Sequence, residues 1–411
     1  MPVPTSTTLP TADAIDAAIA AATADPYKGV SRLVFQAASS TSPLLYSGKG
    51  GIARATPEGE ADVPIEENSI FELYSCTKLV GSLAAMQLVE QGRIALDDDA
   101  SEYVPELKEV KIFKRWDQDK DEPVLEENEE KITVRQLLTH TSGFIYYFQD
   151  LENVEKVAKK YGIETAPYGE KVTRDSLYKM PLFHKPGSTW VYGTSIDWLT
   201  RIVENVSGLA LEAYVQKHIF GPLGITDISY AANPSQIDMA FSDPSNPSAP
   251  YKFARNKPFS KQYHYGGAGL NGSAPSYLKL LRAILRGGEL DGVRILKPET
   301  VDLMFTPQLN EKQAKDLQEH EKNGSEPFTR RAGKSLEDAN WGLGGMLSGT
   351  GLASGRGAGS LHWSGMANTF WVIDRKKDVC FVLFSNIIPF GDQKVFDAWE
   401  TVETELYKSL A

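Results

Sequence analysis

Three serine–lysine pairs in this 411-residue chain have a spacing that could support nucleophilic catalysis. Residues three positions apart lie on the same face of a helix, so a hydroxyl and an amine at this spacing can meet. A lysine kept neutral by an apolar pocket or by a neighbouring cation could help to deprotonate such a serine. The three pairs are Ser75/Lys78, Ser176/Lys179 and Ser276/Lys279.

The surroundings of the three serines favour Ser75. It follows a short apolar run and begins a long amphipathic helical pattern that ends near Gly92. The amides and partial positive charge of a helix N-terminus suit a developing oxyanion. Ser276 begins a shorter helix after a glycine-rich turn, and Ser176 lies among polar residues before Pro181. We therefore predict that Ser75 is the nucleophile.

The elements that must position Ser75 come from both ends of the chain. Each end carries β-like runs bounded by turn residues, whereas residues 100–260 read mostly as helix and loop. The most economical arrangement is one antiparallel sheet interrupted by a helical insertion. The predicted strands are residues 30–37, 44–53, 368–373 and 379–384, and the predicted helices are residues 11–22, 75–92, 196–206, 211–219, 277–285 and 395–410.

Several further segments match the sequence motifs of a known family and occur in the same order along the chain. They are Ile132–Gly143 with Leu-Thr-His-Thr-Ser-Gly, Pro186–Gly193 leading into Asp197-Trp198, Pro222–Asp227, Val301–Phe305 and Gly342–Gly345. With Ser75-Cys76-Thr77-Lys78, they make the chain resemble the class C β-lactamase-like serine hydrolases. Within that family it is similar to the family VIII esterases and to fungal acyltransferases of the lovastatin-pathway type. The matching segments run over nearly the whole chain.

The resemblance implies an α+β fold of the β-lactamase/transpeptidase type. In such a fold an antiparallel sheet is flanked by the N-terminal and C-terminal helices, and a mostly helical domain is attached to it. We expect residues 1–68 and 270–411 to form the sandwich and residues 69–269 to form the helical domain. The catalytic cleft would then lie between the two domains.

The same resemblance assigns catalytic roles residue by residue. Ser75 corresponds to the acyl-accepting nucleophile, Lys78 to its hydrogen-bonded amine and Tyr192 to the tyrosine that shuttles the proton. A phenol near a cationic amine loses its proton more easily, so Tyr192 could take the serine proton and return it to a leaving alkoxide. The family signature also contains His140, for which we expect a structural role.

A third motif, Trp363-Ser364-Gly365, stands where β-lactamases and penicillin-binding proteins carry Lys-Thr-Gly on an edge strand. The missing lysine argues against β-lactamase as the main activity, and Trp-x-Gly is similar to the esterase branch. The resemblance implies an oxyanion hole made by the backbone amides of Ser75 and Met366. The expected substrate-binding residues are Tyr146, Trp363, Gly365 and His362.

These residues lead us to expect a serine esterase or acyltransferase that forms an acyl-Ser75 intermediate, in secondary metabolism. The acyl donor would be a small-molecule ester or thioester, and an alcohol or an acyl carrier is a candidate acceptor. Two alternatives stay open: a β-lactamase or D-Ala-D-Ala peptidase-like hydrolase, and a non-catalytic binding or filament-forming member of the fold. Turnover of simple esters, turnover of a cephalosporin, or neither would separate them.

Composition excludes several other classes. The net charge of −11 gives no bulk attraction to nucleic acid or an anionic membrane. Residues 1–10 have no basic or apolar region typical of a secretory signal, so we expect a cytoplasmic protein. We expect no cofactor and no metal. Asp117–Asp121 imitates the start of a calcium loop, but Glu122 stands where that loop requires glycine. Gly267–Gly272 fits a lone dinucleotide fingerprint but is better explained as a glycine-rich turn.

Overall fold

A computed structural model describes residues 9–56, 60–163, 174–246, 248–255, 263–322 and 338–410. Its α-helices are α1 (Ala12–Ala22), α2 (Thr77–Glu90), α3 (Val134–Leu138), α4 (Leu151–Tyr161), α5 (Asp175–Tyr178), α6 (Ser195–Ser207), α7 (Leu211–Val215), α8 (Ala274–Leu285), α9 (Pro298–Met304), α10 (Glu311–Lys322) and α11 (Gln393–Ser409). Short 3₁₀ turns occur at Tyr74–Cys76, Ala100–Glu102, Pro105–Glu109 and Tyr147–Gln149, and a π-helical turn occurs at Gln216–Phe220.

The strands are β1 (Arg32–Ala38), β2 (Tyr46–Arg54), β3 (Val63–Pro64), β4 (Phe71–Glu72), β5 (Ile112–Asp117), β6 (Glu122–Glu126), β7 (Met239–Phe241), β8 (Lys252–Ala254), β9 (Asn271–Gly272), β10 (Glu289–Leu290), β11 (Val293–Arg294), β12 (Asn340–Trp341), β13 (Met346–Leu347), β14 (Leu361–Gly365), β15 (Thr369–Asp374), β16 (Val379–Phe384) and β17 (Ile387–Ile388).

Both ends of the chain contribute to one antiparallel sheet, as the sequence predicts. Its strand order is β12-β13-β14-β15-β16-β1-β2-β3. The junction between the ends is the pairing of β1 with β16, in which Val34 lies opposite Phe384 and Ala38 lies opposite Cys380. The four predicted strands correspond to β1, β2, β15 and β16, which form two hairpins, β1–β2 and β15–β16.

Helices cover both faces of this sheet, which explains its continuous apolar strands. Every residue of β1, β15 and β16 is buried. On one face the side chains pack with Ile15 and Ile19 of α1 and with Val402 and Leu406 of α11. The other face packs against α8 and the larger core around α2. Strands buried on both faces read as unbroken hydrophobic runs rather than as an alternating pattern.

Helix α2 passes through the centre of the larger core. All of its residues from Thr77 to Leu88 are buried, and it packs against α6. The 3₁₀ turn Tyr74–Cys76 leads directly into it, so the predicted helix start near Ser75 is confirmed. Ser75 lies in this 3₁₀ turn and Lys78 in the first turn of α2, so the buried helix places both residues.

One hairpin lies where the sequence indicated only an acidic loop. Strands β5 and β6 pair antiparallel, and Asp117 accepts hydrogen bonds from the amides of Asp119 and Lys120 in the turn between them. The acidic residues therefore form a turn. Among the described residues, no group of three His, Cys, Asp or Glu side chains could hold a metal ion.

The predicted boundary between a sandwich and a helical domain, at residues 68/69 and 269/270, stays a prediction. One feature supports it: the two places where the chain would cross that boundary lie side by side. Strands β4 and β9 pair there, with Phe71 opposite Gly272 and Glu72 opposite Asn271.

Candidate active site

Ser75 and Lys78 meet at the start of α2. The Lys78 Nζ donates a hydrogen bond to the Ser75 Oγ over 3.1 Å. Lys78 is almost fully buried, whereas Ser75 keeps partial exposure. Tyr74, the residue before the serine, has a φ of 45°. Such a left-handed backbone is strained for a bulky side chain, and strain of this kind clusters at functional sites.

Two phenols surround the Lys78 amine. The Nζ lies 4.8 Å from the ring centroid of Tyr192 and 4.9 Å from that of Tyr146. It also donates a hydrogen bond of 2.8 Å to the Tyr146 hydroxyl. The structure therefore brings Ser75, Lys78 and Tyr192 together as predicted. It also places Tyr146, expected only as a substrate-binding residue, directly on the amine.

Tyr192 is held from two sides. It lies just before α6, and its hydroxyl oxygen accepts a 3.0 Å hydrogen bond from the Trp363 Nε1. A donor aimed at a phenol oxygen favours the phenolate form. Behind the ring, His140 packs at a centroid distance of 4.8 Å, and its Nδ1 lies 3.4 Å from the Gly193 amide. Burial lowers the pKa of His140 well below its usual value, so it is a neutral part of this wall.

Strand β14 places the third motif, Trp363-Ser364-Gly365, next to the serine turn, the 3₁₀ turn Tyr74–Cys76. A Cβ at Gly365 would lie 2.4 Å from the carbonyl oxygen of Leu73 and 3.2 Å from the Cβ of Tyr74, so only glycine allows this approach. The next residue, Met366, packs in a small cluster with Tyr74. The proposed oxyanion hole of the Ser75 and Met366 amides stays a prediction, and this close packing supports it.

The resemblance implied that this motif lies on an edge strand of the sheet. In the structure its strand, β14, is not the outermost one. Strands β12 and β13 continue the sheet beyond β14. However, β13 pairs with β14 only at Leu361 and His362, and that pairing ends before Trp363. Trp363 and Gly365 therefore reach the serine turn beyond the end of a two-residue strand.

His362 lies apart from the other predicted substrate-binding residues. Successive side chains of a strand point to opposite faces of its sheet. Trp363 lies opposite Trp371, which belongs to the core around α2, whereas His362 lies opposite Val372, which packs with α1 and α11. Burial and the nearby Arg356 lower the pKa of His362 well below its usual value. The structure thus places this neutral histidine within the sandwich.

Two residues of the site were not identified from the sequence. Asp197, in α6, is 2% exposed, and its Oδ1 accepts a 2.8 Å hydrogen bond from the Gly267 amide. The Gly267 carbonyl in turn accepts a 2.8 Å hydrogen bond from the Lys78 Nζ. Burial raises the pKa of Asp197 to about 6, while the charge of Lys78 acts in the opposite direction. The available signal was an acidic residue between Ile196 and Trp198 in an apolar helix.

Of the other two serine–lysine pairs, only Ser276/Lys279 has both side chains described, and its serine belongs to no such cluster. Ser276 lies in the first turn of α8, where its amide is 3.4 Å from the capping hydroxyl of Ser273. The side chain of Ser176 lies outside the described residues. Cys76, next to the nucleophile, is fully buried, and burial raises the pKa of its thiol to about 12. It therefore stays a packed thiol.

Comparison with known proteins identifies the family. A profile described as Beta-lactamase matches residues 31–404, and the chain belongs to this family. It is 31% identical to monacolin J acid methylbutanoyltransferase of Aspergillus terreus over 84% of this chain and 83% of that one. It is also 31% identical to lovastatin esterase of Penicillium rubens, over 84% and 86% of the two chains.

Solved structures agree with this assignment. Unliganded simvastatin synthase from Aspergillus terreus superimposes with a TM-score of 0.81 at 27% identity, covering 97% of this chain and 98% of that one. A penicillin-binding protein homologue from Caulobacter crescentus shares the fold, with a TM-score of 0.66 at 18% identity over 98% and 99% of the two chains. The predicted α+β fold of the β-lactamase/transpeptidase type is confirmed. No helix in the described part of the chain is long and apolar enough to cross a membrane.

Proposed function

We propose that this protein is a serine esterase and acyltransferase that works through an acyl-Ser75 intermediate. The observation that carries the proposal is the convergence of a hydroxyl, an amine and a phenol. The Lys78 Nζ lies 3.1 Å from the Ser75 Oγ and 4.8 Å from the ring centroid of Tyr192, at the start of a buried helix. A nucleophile within hydrogen-bond reach of a group that is itself oriented by a third group is the arrangement of covalent catalysis.

Acylation then proceeds through two proton transfers, first from Ser75 to Tyr192 and then from Tyr192 to the leaving group. The phenolate oxygen of Tyr192 accepts the Ser75 proton while Oγ forms a bond to the substrate carbonyl carbon. The resulting oxyanion faces the amides at the serine turn, where one well-placed donor is worth about 3 kcal/mol of transition-state stabilisation. The bond to the leaving oxygen or sulfur breaks, and Tyr192 returns its proton to that atom. Acid–base assistance of this kind contributes ~10²–10⁴ in rate.

Deacylation repeats these steps with a different nucleophile. Water yields hydrolysis, and an alcohol yields transfer of the acyl group to its oxygen. The names of the two relatives, a methylbutanoyltransferase and an esterase, support both outcomes on one scaffold. We propose a small-molecule ester or thioester as the donor, an alcohol or an acyl carrier as partner in the second half-reaction, and a role in secondary metabolism.

The site favours an ester over a β-lactam. Where lactam-recognising enzymes of this family carry a lysine, this chain has Trp363, whose indole N–H is directed at Tyr192 over 3.0 Å. An anionic lactam carboxylate would therefore lack that cationic partner. We expect a chromogenic cephalosporin to be turned over far more slowly than a simple ester.

The test is intact-protein mass spectrometry after brief exposure to a p-nitrophenyl short-chain ester. We compare the wild type with Ser75→Ala and with Ser276→Ala, which alters a serine of the same spacing outside the site. The wild type and Ser276→Ala should gain the mass of one acyl group or, if deacylation is fast, release p-nitrophenol. Equal acylation and equal turnover by Ser75→Ala would refute the proposal. Adding candidate alcohols to the adduct then measures transfer against hydrolysis.

A further inference from the structure

A buried carboxylate lies behind the catalytic amine without contacting the nucleophile. Asp197 is in the first turn of α6 and is 2% exposed, and its chain neighbours Ile196 and Trp198 are also buried. Carboxylates are almost never fully buried unless they are paired with a cation or held by hydrogen bonds. The position of Asp197 therefore requires an explanation in terms of its neighbours.

A single residue, Gly267, links Asp197 to Lys78. The amide of Gly267 donates to the Asp197 Oδ1 over 2.8 Å, and the carbonyl of the same residue accepts from the Lys78 Nζ over 2.8 Å. A Cβ at Gly267 would lie 2.7 Å from the Tyr146 hydroxyl and 3.0 Å from the Asp197 Oδ2. Glycine at this position therefore lets the carboxylate, the phenol and the amine converge on one backbone unit.

The Asp197 charge acts on three phenols of the described residues. The carboxylate of Glu204 also acts on Tyr230 and Tyr263, and that of Glu212 acts on Tyr230. Burial, with a smaller contribution from the Asp197 charge, raises the pKa of Tyr230, Tyr263 and Tyr265. These three phenols, and Tyr146 near the Gly267 peptide, provide no positive charge. Lys78 is the cation whose charge acts on Asp197, against the larger effect of burial.

The hydrogen bonds of Lys78 agree with a protonated amine. Its Nζ lies within hydrogen-bond distance of three oxygens: the Ser75 Oγ, the Tyr146 hydroxyl and the Gly267 carbonyl. An ammonium group has three donors and no acceptor, so it can donate to all three of these oxygens at once. The carbonyl can only accept, so at least that bond requires an N–H of the lysine.

We infer that Asp197 is a positioning residue, which holds the Gly267 peptide in place and supplies the counter-charge that keeps Lys78 as an ammonium ion. The consequence for the chemistry is a division of labour. Lys78 stabilises negative charge on the neighbouring oxygens, and Tyr192 acts as the base toward Ser75. This inference rests on the proposed function and deepens it.

The test compares two carboxylates that make the same local contact. Asp197→Asn keeps an oxygen that can accept from Gly267 but removes the charge. Asp374→Asn is the matched control, because the buried Asp374 accepts a 2.6 Å hydrogen bond from the Gly357 amide in the sandwich. The measurement is kcat/KM for a p-nitrophenyl ester from pH 5 to pH 10, together with the thermal unfolding midpoint of each variant.

For the wild type, kcat/KM should fall as the pH drops through about 6, because protonation there removes the Asp197 charge. In Asp197→Asn the part of the acid limb due to this carboxylate should disappear, leaving only protonation of the Tyr192 phenolate, and kcat should be about 10–100-fold lower. Its alkaline limb should move down by about one pH unit, because the ammonium ion loses its counter-charge. Asp374→Asn should keep the wild-type profile.

Identical pH profiles for Asp197→Asn and the wild type would overturn the inference, as would the same change in Asp374→Asn. If Asp197→Asn does not fold, the acid limb of the wild type carries the test, and a flat profile from pH 5 to pH 7 overturns it. Ser75→Ala is measured in parallel. An active Ser75→Ala refutes the proposed function, whereas an inactive one with an unaltered Asp197→Asn profile refutes only the role of Asp197.

Discussion

Two buried aspartates of this protein make the same contact with a glycine and are placed in very different surroundings. Asp197 accepts the Gly267 amide in the site, and Asp374 accepts the Gly357 amide at the end of β15. Asp374 also accepts hydrogen bonds from the Tyr407 hydroxyl and the Lys377 amide. In the described residues, the Asp197 carboxylate receives only the hydrogen bond from Gly267.

The cations beside the two carboxylates also differ in their hydrogen-bond partners. Arg356, near Asp374, forms a two-pronged pair with Glu403 at 2.7 and 2.8 Å, and both partners are buried. Lys78, near Asp197, instead directs its hydrogen bonds at a serine, a phenol and a carbonyl. A carboxylate and a cation with their partners satisfied stabilise the sandwich. In the site, the donors of the cation are directed at the partly exposed hydroxyl of Ser75, so a carboxylate and a cation can there take part in catalysis.

Removing the cation of the site should have the largest effect on activity. Lys78→Ala should lower kcat/KM by about 10³–10⁴, because Ser75 and the phenols lose the charge between them. Asp197 is then expected to take up a proton, so the fold should survive. Steady-state ester hydrolysis measures the loss, and Lys279→Ala, from the unused pair, is the control that should stay near wild-type activity. A Lys78→Ala enzyme within tenfold of wild type would contradict the role.

Removing the cation of the sandwich should instead affect stability. Arg356→Ala leaves Glu403 buried without its partner, and breaking a buried ion pair in this way costs about 3–5 kcal/mol of unfolding free energy. Urea denaturation measures this cost, while kcat at a temperature where the variant is folded should match the wild type. A large fall in kcat with unchanged stability would reverse the assignment of the two regions.

The indole hydrogen bond to Tyr192 should have an intermediate effect. Trp363→Phe keeps an aromatic ring beside Tyr192 but removes the donor, and hydrogen bonds to charged groups are worth about 1.5–3 kcal/mol. We therefore expect kcat to fall by about 10–100-fold. The matched control is Trp341→Phe, which removes a 3.2 Å hydrogen bond to the Leu138 carbonyl and should leave kcat nearly unchanged. Equal kcat losses in both variants would indicate a packing effect only.

The smallest effects should come from adding one methyl group at each glycine. A Cβ at Gly357 would lie 2.8 Å from the Asp374 Oδ1, and one at Gly267 would lie 3.0 Å from the Asp197 Oδ2. Gly357→Ala should lower the unfolding free energy by about 1–3 kcal/mol, the usual cost of overpacking, with kcat retained. Gly267→Ala should lower kcat by about tenfold with a smaller change in stability. Paired thermal melts and kinetics separate these outcomes, and the opposite pattern would break the comparison.

The regular elements were predictable where the local pattern was strong. Strand β16 was predicted with its exact bounds at 379–384, because an apolar run of this length between turn residues, rich in valine and phenylalanine, is typical of a buried strand. The predicted α6 came within one residue at each end, since its apolar face repeats with helical periodicity and Gly208 terminates it in a left-handed conformation. The β5–β6 hairpin was missed because its strands carry charged, half-exposed residues.

Contacts of the candidate site could be predicted where the residues are close in the chain, and not where they are far apart. Ser75 and Lys78 are three positions apart at a helix start, so local geometry alone brings them together. Tyr192 and Trp363 lie 171 positions apart and were each assigned to the site only through resemblance to a family, and the hydrogen bond between them was not predicted. His362 was grouped with Trp363 because they are neighbours, and the alternation of the strand separates them. The predicted glycine-rich turn at 267–272 is a bend at Gly267 followed by strand β9 at Asn271–Gly272, and the role of Gly267 between two charges depends on how this segment packs.

By itself, the sequence determined the family, the sheet built from both chain ends, and a serine–lysine pair at the start of a buried helix. The family follows from the resemblance of the motifs to known ones, whereas the sheet and the serine–lysine pair follow from periodicity, turn chemistry and spacing, which act over a few residues. Only the tertiary structure decided which phenols contact Lys78, which side of β14 faces the site, and that Asp197 lies behind the amine. Hydrogen bonds and charges act through distances in space, and the folded core brings together groups that the chain keeps far apart.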